Sequence, residues 1–220
     1  MLIDKAVMMG ASHAIEKYNS IIFDFDGVIL NSNEIKKRAV SNSVKGVLSE
    51  DQRVSFVDYF VHLNGIPREE KFAKFIPIPS LKFVLQRYED ILEEELAGAE
   101  LIPGVRRTLD ALYEMDKKMI VLSGGSQSEV ASLLKARGMT KYFVGIYGGP
   151  LRKESNLEKV ELKPPVLYFG DSIVDFELAK ANGFDFIFVY GESSITDWQK
   201  TVGSWGNVRA IKNFKDEWCS

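Results

Sequence analysis

Six short apolar runs, rich in β-branched and aromatic residues, recur along the chain between longer polar stretches. Short runs of this composition are typical of buried strands. The predicted strands are residues 21–25, 119–122, 143–147, 166–169, 184–190 and 208–211. Because these runs show little alternation between apolar and polar residues, both faces of the predicted sheet are expected to be covered.

Helical periodicity fills most of the intervals between these strands. In segment 104–115, Val105, Leu109 and Leu112 recur at spacings of four and three. Two further helical segments, 130–134 and 176–179, are followed by glycine stop signals. Strands that alternate with helices predict an α/β fold, with a Rossmann-like, doubly wound parallel sheet at its core.

Residues 33–98 break this alternation. The segment contains no clear strand, and two helices are predicted, over residues 34 to about 48 and over 81–96. We therefore predict an all-helical cap (33–98) inserted into an α/β core (20–32 and 99–220), with residues 1–19 as an N-terminal extension. Such an insertion hangs over the sheet edge where α/β folds bind ligands, which suggests a lid that excludes water. An oligomerisation or packing element is the alternative.

Composition narrows the functional classes. The 220 residues carry a net charge of −3 without a basic stripe, so nucleic-acid binding is not expected. The lone cysteine, Cys219, excludes an intramolecular disulfide and fits a reducing compartment. The N-terminus does not resemble a signal peptide, and no apolar run approaches membrane-span length. We expect a soluble cytoplasmic protein, monomeric or homodimeric, with no membrane or nucleic-acid partner.

Two carboxylates stand where the first strand ends, in the sequence Asp24-Phe25-Asp26-Gly27. Residues i and i+2 of an extended chain point to the same side, so Asp24 and Asp26 are able to face one site. Two acids at the end of an apolar strand are costly unless a cation or a proton lies between them. The pattern indicates a metal site or an acid/base pair. An Asx turn, with Gly27 at positive φ, is the alternative.

Polar clusters follow three more strands. Ser123 and Gly124 offer a hydroxyl and an amide that could hold an anion, although such sequences are also ordinary loops. Lys153 follows the third strand and could face a phosphate, or be a solvated surface lysine. Asp171 and Asp175 follow the fourth strand, where an N-cap of the next helix is the alternative.

The four clusters are more informative together. Because the carboxyl ends of parallel strands meet at one edge of a sheet, all four are predicted to converge there. Carboxylates without histidine or thiol suit a hard cation such as Mg²⁺. His13 and His62 lie far from the acidic motifs in the sequence, so a histidine-based metal site or a Ser-His triad is not expected. A serine, glycine amides and a lysine suit a phosphoryl group.

In these four clusters the chain resembles the haloacid dehalogenase superfamily, specifically its phosphatases with a C1-type helical cap, such as phosphoglycolate phosphatases and β-phosphoglucomutase-like proteins. The first motif of that family matches residues 24–28, and the second matches Ser123. The third matches Lys153, and the fourth, Gly-Asp-Ser-x-x-Asp, matches residues 170–175. The resemblance covers residues 20 to about 190.

The resemblance implies a catalytic role for each motif residue. Asp24 would be the nucleophile that takes the phosphoryl group, and Asp26 the general acid/base, with a pKa raised above the usual aspartate value. Mg²⁺ would bind Asp171, Asp24 and the backbone carbonyl of Asp26. Asp175 would order metal-bound water and Lys153.

The same resemblance implies donors for the transferring phosphoryl oxygens. These would be Ser123, Lys153 and the amides of Gly27 and Gly124. The implied activity is Mg²⁺-dependent hydrolysis of a small phosphorylated metabolite, such as a sugar or sugar-acid phosphate, through an aspartyl phosphate. The presence of Asp26 argues against the dehalogenase and phosphonatase branches, which lack this acid.

Two cap residues bear on the substrate. Segment 65–70 resembles the substrate-facing cap loop of the family, so Arg68 would contact a distal anionic or hydroxyl group. A helix N-terminus followed by solvated charges is the alternative reading. Lys36, ten residues after Asp26, stands where the mutases carry a histidine, which favours a phosphatase over the alternative of a β-phosphoglucomutase-like enzyme. A non-catalytic binding module is a third, less favoured hypothesis.

Overall fold

A computed structural model describes residues 15–63, 66–206 and 208–215. Most of the predicted N-terminal extension, with His13, lies outside the described residues. The same holds for Cys219, for Asn64 and for Gly65, the first residue of the cap segment 65–70.

A parallel sheet of six strands, in the order β3-β2-β1-β4-β5-β6, forms the core. The strands are β1 Ser20–Phe23, β2 Lys118–Ser126, β3 Gly145–Gly149, β4 Val166–Gly170, β5 Asp185–Val189 and β6 Arg209–Ile211. Strand β1 lies between β2 and β4, with Phe23 opposite Val121 and Phe169. The first and fourth motifs therefore emerge from neighbouring strands at the same edge.

Both faces of the sheet are buried. Ile21 and Phe23 belong to one apolar cluster, and Ile22 belongs to a second cluster on the opposite face. This two-residue period inside an unbroken apolar run confirms the doubly wound α/β prediction. The core helices are α5 Val105–Glu114, α6 Gln127–Ala136, α7 Lys153–Leu157, α8 Ile173–Ala181 and α9 Trp198–Ser204.

Among the described residues, five helices lie between β1 and β2, and the first four of them form the inserted helical region. They are α1 Asn33–Ser43, α2 Glu50–His62, α3 Arg68–Phe75 and α4 Ile78–Leu96. Their shared centre is aromatic, because Phe56, Phe60, Phe72 and Tyr88 pack against one another with ring centroids 5.0 to 6.1 Å apart. The all-helical insertion is thus confirmed.

Several predicted element boundaries differ from the structure. Strand β1 ends at Phe23 rather than at residue 25, and strand β2, predicted to end at residue 122, continues to Ser126 and so includes Ser123. Helix α1 ends at Ser43 rather than near residue 48, and Gly46 follows at a φ of 81°, which a helix does not admit. Strand β3 begins at Gly145, because residues Thr140–Tyr142 form a 3₁₀ turn and Phe143 packs into the core from the loop. Within the described ranges, no helix combines the length and the apolar character needed to cross a membrane.

Candidate active site

The two carboxylates at the end of β1 are both buried but bind different partners. Oδ1 of Asp24 accepts from the amide of Phe25 at 2.7 Å and lies 2.8 Å from Nζ of Lys153. The carboxylate of Asp26 instead accepts from Ser32 Oγ at 2.5 Å and from Lys36 Nζ at 2.6 Å. Asp24 therefore belongs to the core cluster, whereas Asp26 is bound by one residue on each side of the point where the chain enters the cap.

Gly27 makes the turn that separates these two acids. Its φ is 74°, and its amide donates to the carbonyl of Leu30 at 2.8 Å. A Cβ here would lie 2.3 Å from Oδ2 of Asp171 and 2.5 Å from Nδ2 of Asn33, so the position has neither the conformation nor the space for a side chain. The positive φ that the alternative turn reading expected of Gly27 is present, and the predicted role of the Gly27 amide as a phosphate donor stays a prediction.

Lys153 is the first residue of α7 and is fully buried. Its ammonium lies 2.6 Å from Oδ1 of Asp175 and 2.8 Å from Oδ1 of Asp24. Burial alone would lower the pKa of Lys153, but the two carboxylates raise it above its usual value, so the lysine is charged. The alternative of a solvated surface lysine is excluded.

Asp175 is held by three donors. Besides Lys153, its carboxylate accepts from Tyr168 Oη at 2.6 Å and from Ser172 Oγ at 2.5 Å. Ser172 is also the N-cap of α8, because its hydroxyl accepts from the Asp175 amide. A Cβ on Gly170 would lie 2.4 Å from the Asp175 Cβ, so the glycine permits this close packing. Capping and site chemistry coexist at this strand end.

Asp24, Asp171 and Asp175 form a buried carboxylate cluster, in which one oxygen from each lies within 4.8 Å of the others. Oδ2 of Asp171 accepts from Asn33 Nδ2 at 2.7 Å, whereas Oδ1 is buried without a hydrogen-bond partner among the described residues. Burial raises the pKa of Asp24 to about 7, and burial with the neighbouring carboxylates raises that of Asp171 well above its usual range.

This cluster fits a hard divalent cation. An all-oxygen donor set with one carboxylate oxygen left without a partner is the coordination chemistry that Mg²⁺ prefers. A cation would also offset the burial and the repulsion between carboxylates that together raise the pKa values of Asp24 and Asp171. Asp24, Asp171 and Asp175 are therefore the residues that could hold a metal ion.

Ser123 and the two glycines after it, which belong to the end of β2, lie next to the cap. The buried Oγ of Ser123 accepts from the Gly125 amide at 2.9 Å. A Cβ on Gly125 would lie 3.2 Å from Lys36 Nζ, 3.3 Å from Ser123 Oγ and 3.5 Å from Oε1 of Glu129. Three polar side chains thus converge around a glycine, where a small anion could approach the backbone. The role of Gly124 as a phosphate donor remains a prediction.

The structure corrects the expected protonation state of Asp26. The sequence predicts a raised pKa for this residue, whereas in the structure its pKa is lowered. Burial works to raise it, but the positive charge of Lys36 and the hydrogen bonds from Lys36 and Ser32 outweigh burial. The correction arises because the cap places a cation 2.6 Å from this carboxylate.

Arg68 is buried at the start of α3. Its exposed fraction is 4%, and its Nη2 donates to Oε2 of Glu129 at 2.8 Å across the boundary between cap and core. Its guanidinium also lies 5.2 Å from the centre of the Tyr88 ring. Glu69 and Glu70, by contrast, are exposed. The helix begins at Arg68 as the alternative reading requires, yet this residue is not part of a solvated charge run.

Several residues of the site were missed from the sequence. Ser32 and Asn33 bind Asp26 and Asp171, and both lie within ten residues of the first motif. Tyr168 was assigned to an apolar strand, and its hydroxyl carried no separate signal. Glu129 lies in the first turn of α6 and carried no signal in the sequence, and only the packing of the cap places it in the site.

The fold and site define a class of α/β protein with a helical insertion over a strand-end carboxylate cluster. Comparison with family models gives the same class. Residues 21–189 match the family described as haloacid dehalogenase-like hydrolase. The chain belongs to this family of enzymes.

The individual proteins that the chain resembles share less than a third of its residues. The chain is similar to a phosphoglycolate phosphatase of Rhodobacter capsulatus, with 29% identity over 79% of this chain and 84% of that protein. It is also similar to the pyrophosphatase PpaX of Listeria innocua, with 24% identity over 74% and 79% of the two chains. Among solved structures, a predicted phosphoglycolate phosphatase from Haemophilus somnus superposes with a TM-score of 0.71 at 19% identity, covering 91% of this chain and 96% of that one.

Proposed function

We propose that the protein is a Mg²⁺-dependent phosphoric monoester hydrolase that acts on a small phosphorylated metabolite through an aspartyl phosphate on Asp24. The observation that carries this proposal is the environment of Asp24. Its carboxylate is buried beside the Lys153 ammonium and two further carboxylates, at the sheet edge that also bears Ser123. Membership of a hydrolase family supports the same conclusion.

Asp24 and Asp26 divide the proposed chemistry between them. A carboxylate oxygen of Asp24 attacks phosphorus, the bond to the leaving oxygen breaks, and Asp26 delivers the proton that this oxygen takes up. Asp26 must be protonated for this step, so Lys36, which lowers its pKa in the free protein, has to move away from its carboxylate when substrate binds. In the second half, Asp26 removes a proton from water, which attacks the same phosphorus and releases inorganic phosphate. Asp24 is then restored as a carboxylate.

The remaining residues neutralise and orient charge. Mg²⁺, held by Asp24, Asp171 and the backbone carbonyl of Asp26 with Asp175 close by, would supply the positive charge that lets an anionic nucleophile meet a phosphate dianion. Lys153 and the Ser123 hydroxyl would bind phosphoryl oxygens. Because Lys153 is already fixed by two carboxylates, it needs little reorganisation when substrate enters.

Two buried cations of the cap favour a small substrate that carries a second polar group. The ammonium of Lys36 and the guanidinium of Arg68 are buried on the cap side of the site, where a second polar group of a bound phosphate ester would meet them. The two similar proteins from Rhodobacter capsulatus and Listeria innocua take their names from phosphoglycolate and pyrophosphate. Both compounds carry another anionic group beside the reacting phosphoryl group. We propose that this enzyme acts on a compound of similar size and charge.

Metal dependence gives a direct test. Hydrolysis of p-nitrophenyl phosphate should vanish in EDTA and return when Mg²⁺ is added, because the carboxylate cluster repels a phosphate dianion unless a cation is bound. The release of p-nitrophenolate is measured by absorbance, with added Ca²⁺ as a matched divalent control that prefers larger coordination numbers. Full activity in the chelator would rule out the proposed metal site.

A β-phosphoglucomutase-like activity is the second candidate, and one observation favours it. Lys36 binds Asp26 at 2.6 Å, and a mutase needs a means to withhold its acid/base from water until sugar binds. Against it, a lysine on a flexible stem holds a donor less rigidly than the histidine of the mutases.

With a hexose 1-phosphate we expect phosphate release, or no reaction, rather than the 6-phosphate isomer. Coupled assays of both products, with and without a bisphosphate primer, distinguish the two, and isomer formation faster than phosphate release would favour the mutase.

A further inference from the structure

Glu129 occupies a position between two cations of the cap, although it comes from core helix α6. Its Oε2 accepts from Arg68 Nη2 at 2.8 Å, and its Oε1 lies 3.6 Å from Lys36 Nζ. Oε1 is buried and has no hydrogen-bond partner among the described residues. A buried carboxylate oxygen without a hydrogen bond is costly, so this oxygen is available to a donor that moves closer.

Lys36 is shared between two acids. Its ammonium lies 2.6 Å from Oδ2 of Asp26 and 3.6 Å from Oε1 of Glu129, so it is bonded to the first and only near the second. Asp26, Lys36, Glu129 and Arg68 therefore form a row of alternating charges, which we call the charge row, leading from the reaction centre to the cap. All four side chains are largely buried.

The charge row is balanced when no substrate is bound, since it holds two acids and two bases. An anionic group that reaches Arg68 adds a negative charge and competes with Glu129 for the guanidinium. Glu129 then has one alternative partner within 4 Å in the charge row, the ammonium of Lys36. Interactions between buried charges are strong enough for such an exchange to matter, because little water screens them.

We propose that Glu129 is a positioning residue that makes the reaction selective for phosphate esters with a second anionic group: when that group takes Arg68, Glu129 turns to Lys36 and draws it away from Asp26. This inference rests on the proposed phosphatase function. An ester without a second anion leaves Arg68 on Glu129 and Lys36 on Asp26, so Asp26 stays occupied and turnover is slow.

Two probes of matched size test the exchange. Phosphoglycolate and ethyl phosphate differ in a carboxylate that replaces a methyl group, and p-nitrophenyl phosphate reports hydrolysis in general. For the wild type with Mg²⁺, we expect phosphoglycolate to exceed ethyl phosphate in kcat by about fivefold or more. In Glu129→Gln, the KM for phosphoglycolate should fall, because the substrate carboxylate no longer competes with Glu129 for Arg68. The kcat for phosphoglycolate should also fall, by about fivefold or more, because Lys36 has lost the partner that draws it away from Asp26.

A double-mutant cycle measures the coupling between Arg68 and Glu129. In the Arg68→Gln background, Glu129→Gln should no longer lower the KM for phosphoglycolate, because the competition requires both side chains. Glu89→Gln is the matched control, since Glu89 lies 4.0 Å from Arg68 but is half-exposed, and its substitution should change each parameter by less than about twofold. Glu129→Asp keeps the negative charge on a shorter side chain. Its kcat and KM for phosphoglycolate should lie between those of wild type and Glu129→Gln, and it replaces Glu129→Gln in the test if that variant does not fold.

The outcomes separate this inference from the function on which it rests. If Glu129→Gln changes phosphoglycolate and ethyl phosphate by equal factors, or if the wild type hydrolyses p-nitrophenyl phosphate but does not discriminate between the matched probes, the positioning role is wrong and the phosphatase proposal stands. If the wild type with Mg²⁺ hydrolyses none of the three esters, the proposed function fails first.

Discussion

Replacing Asp24 with asparagine should abolish turnover while the protein stays folded. An amide is a far poorer nucleophile than a carboxylate, so kcat for p-nitrophenyl phosphate should fall on the order of 10³-fold or more. The fold should tolerate the change, because asparagine keeps an oxygen for the Phe25 amide and removes one charge from a crowded carboxylate cluster.

Asp24→Asn needs a control variant that carries the same substitution away from the site. Asp58→Asn makes the same chemical change at an exposed position of α2 and should leave kcat within about twofold of wild type. Thermal unfolding of both variants checks that any loss is chemical. If folded Asp24→Asn kept activity within about tenfold, which corresponds to only about 1.4 kcal/mol of barrier, Asp24 would not be the nucleophile.

Replacing Lys153 with methionine should damage both stability and activity. The substitution keeps much of the side-chain volume but leaves Asp24 and Asp175 without the cation that lies 2.8 and 2.6 Å from them. Removing one partner of a buried ion pair costs roughly 3–5 kcal/mol, so the free energy of unfolding in urea should fall by about that amount. Phosphatase activity should fall on the order of 10²-fold, as expected when a preorganised donor is lost.

Lys17→Met provides the control for burial. Lys17 pairs with Asp185 at 3.0 Å, a distance similar to that of the Lys153 pairs, but both side chains are more than half exposed. Exposed pairs contribute only about 0–1 kcal/mol, so the urea midpoint of this variant should stay near that of wild type. Equal losses in the two variants would mean that Lys153 does not act as the buried counter-ion of the site.

The fold and the polar strand ends could be predicted because they depend on local pattern. Unbroken apolar runs between helical segments define a parallel sheet, and its topology brings Asp24, Ser123, Lys153 and Asp171 to one edge. These residues could be predicted because Asp24, Lys153 and Asp171 follow a strand directly or by a few residues, and Ser123 lies in the last residues of β2.

What the sequence did not reveal depends on how the cap packs. The pKa of Asp26 was expected to be raised, and it is lowered because Lys36 and Ser32 reach its carboxylate from the start of the insertion. Glu129 was not recognised, because its partners Arg68 and Lys36 are far away in sequence and belong to the inserted helices. No periodicity or local motif reports a contact of this kind.

The central claim is a covalent phosphoryl group on Asp24, and trapping it in Asp26→Asn is the most direct measurement. p-Nitrophenolate leaves without much help from an acid, so the first step should proceed, whereas the second step lacks its base. After an acid quench in the presence of Mg²⁺, mass spectrometry should find one added phosphoryl group, located on Asp24, and none in Asp24→Asn. Hydrolysis without an adduct in Asp26→Asn, or an adduct on another residue such as Ser123, would contradict the account.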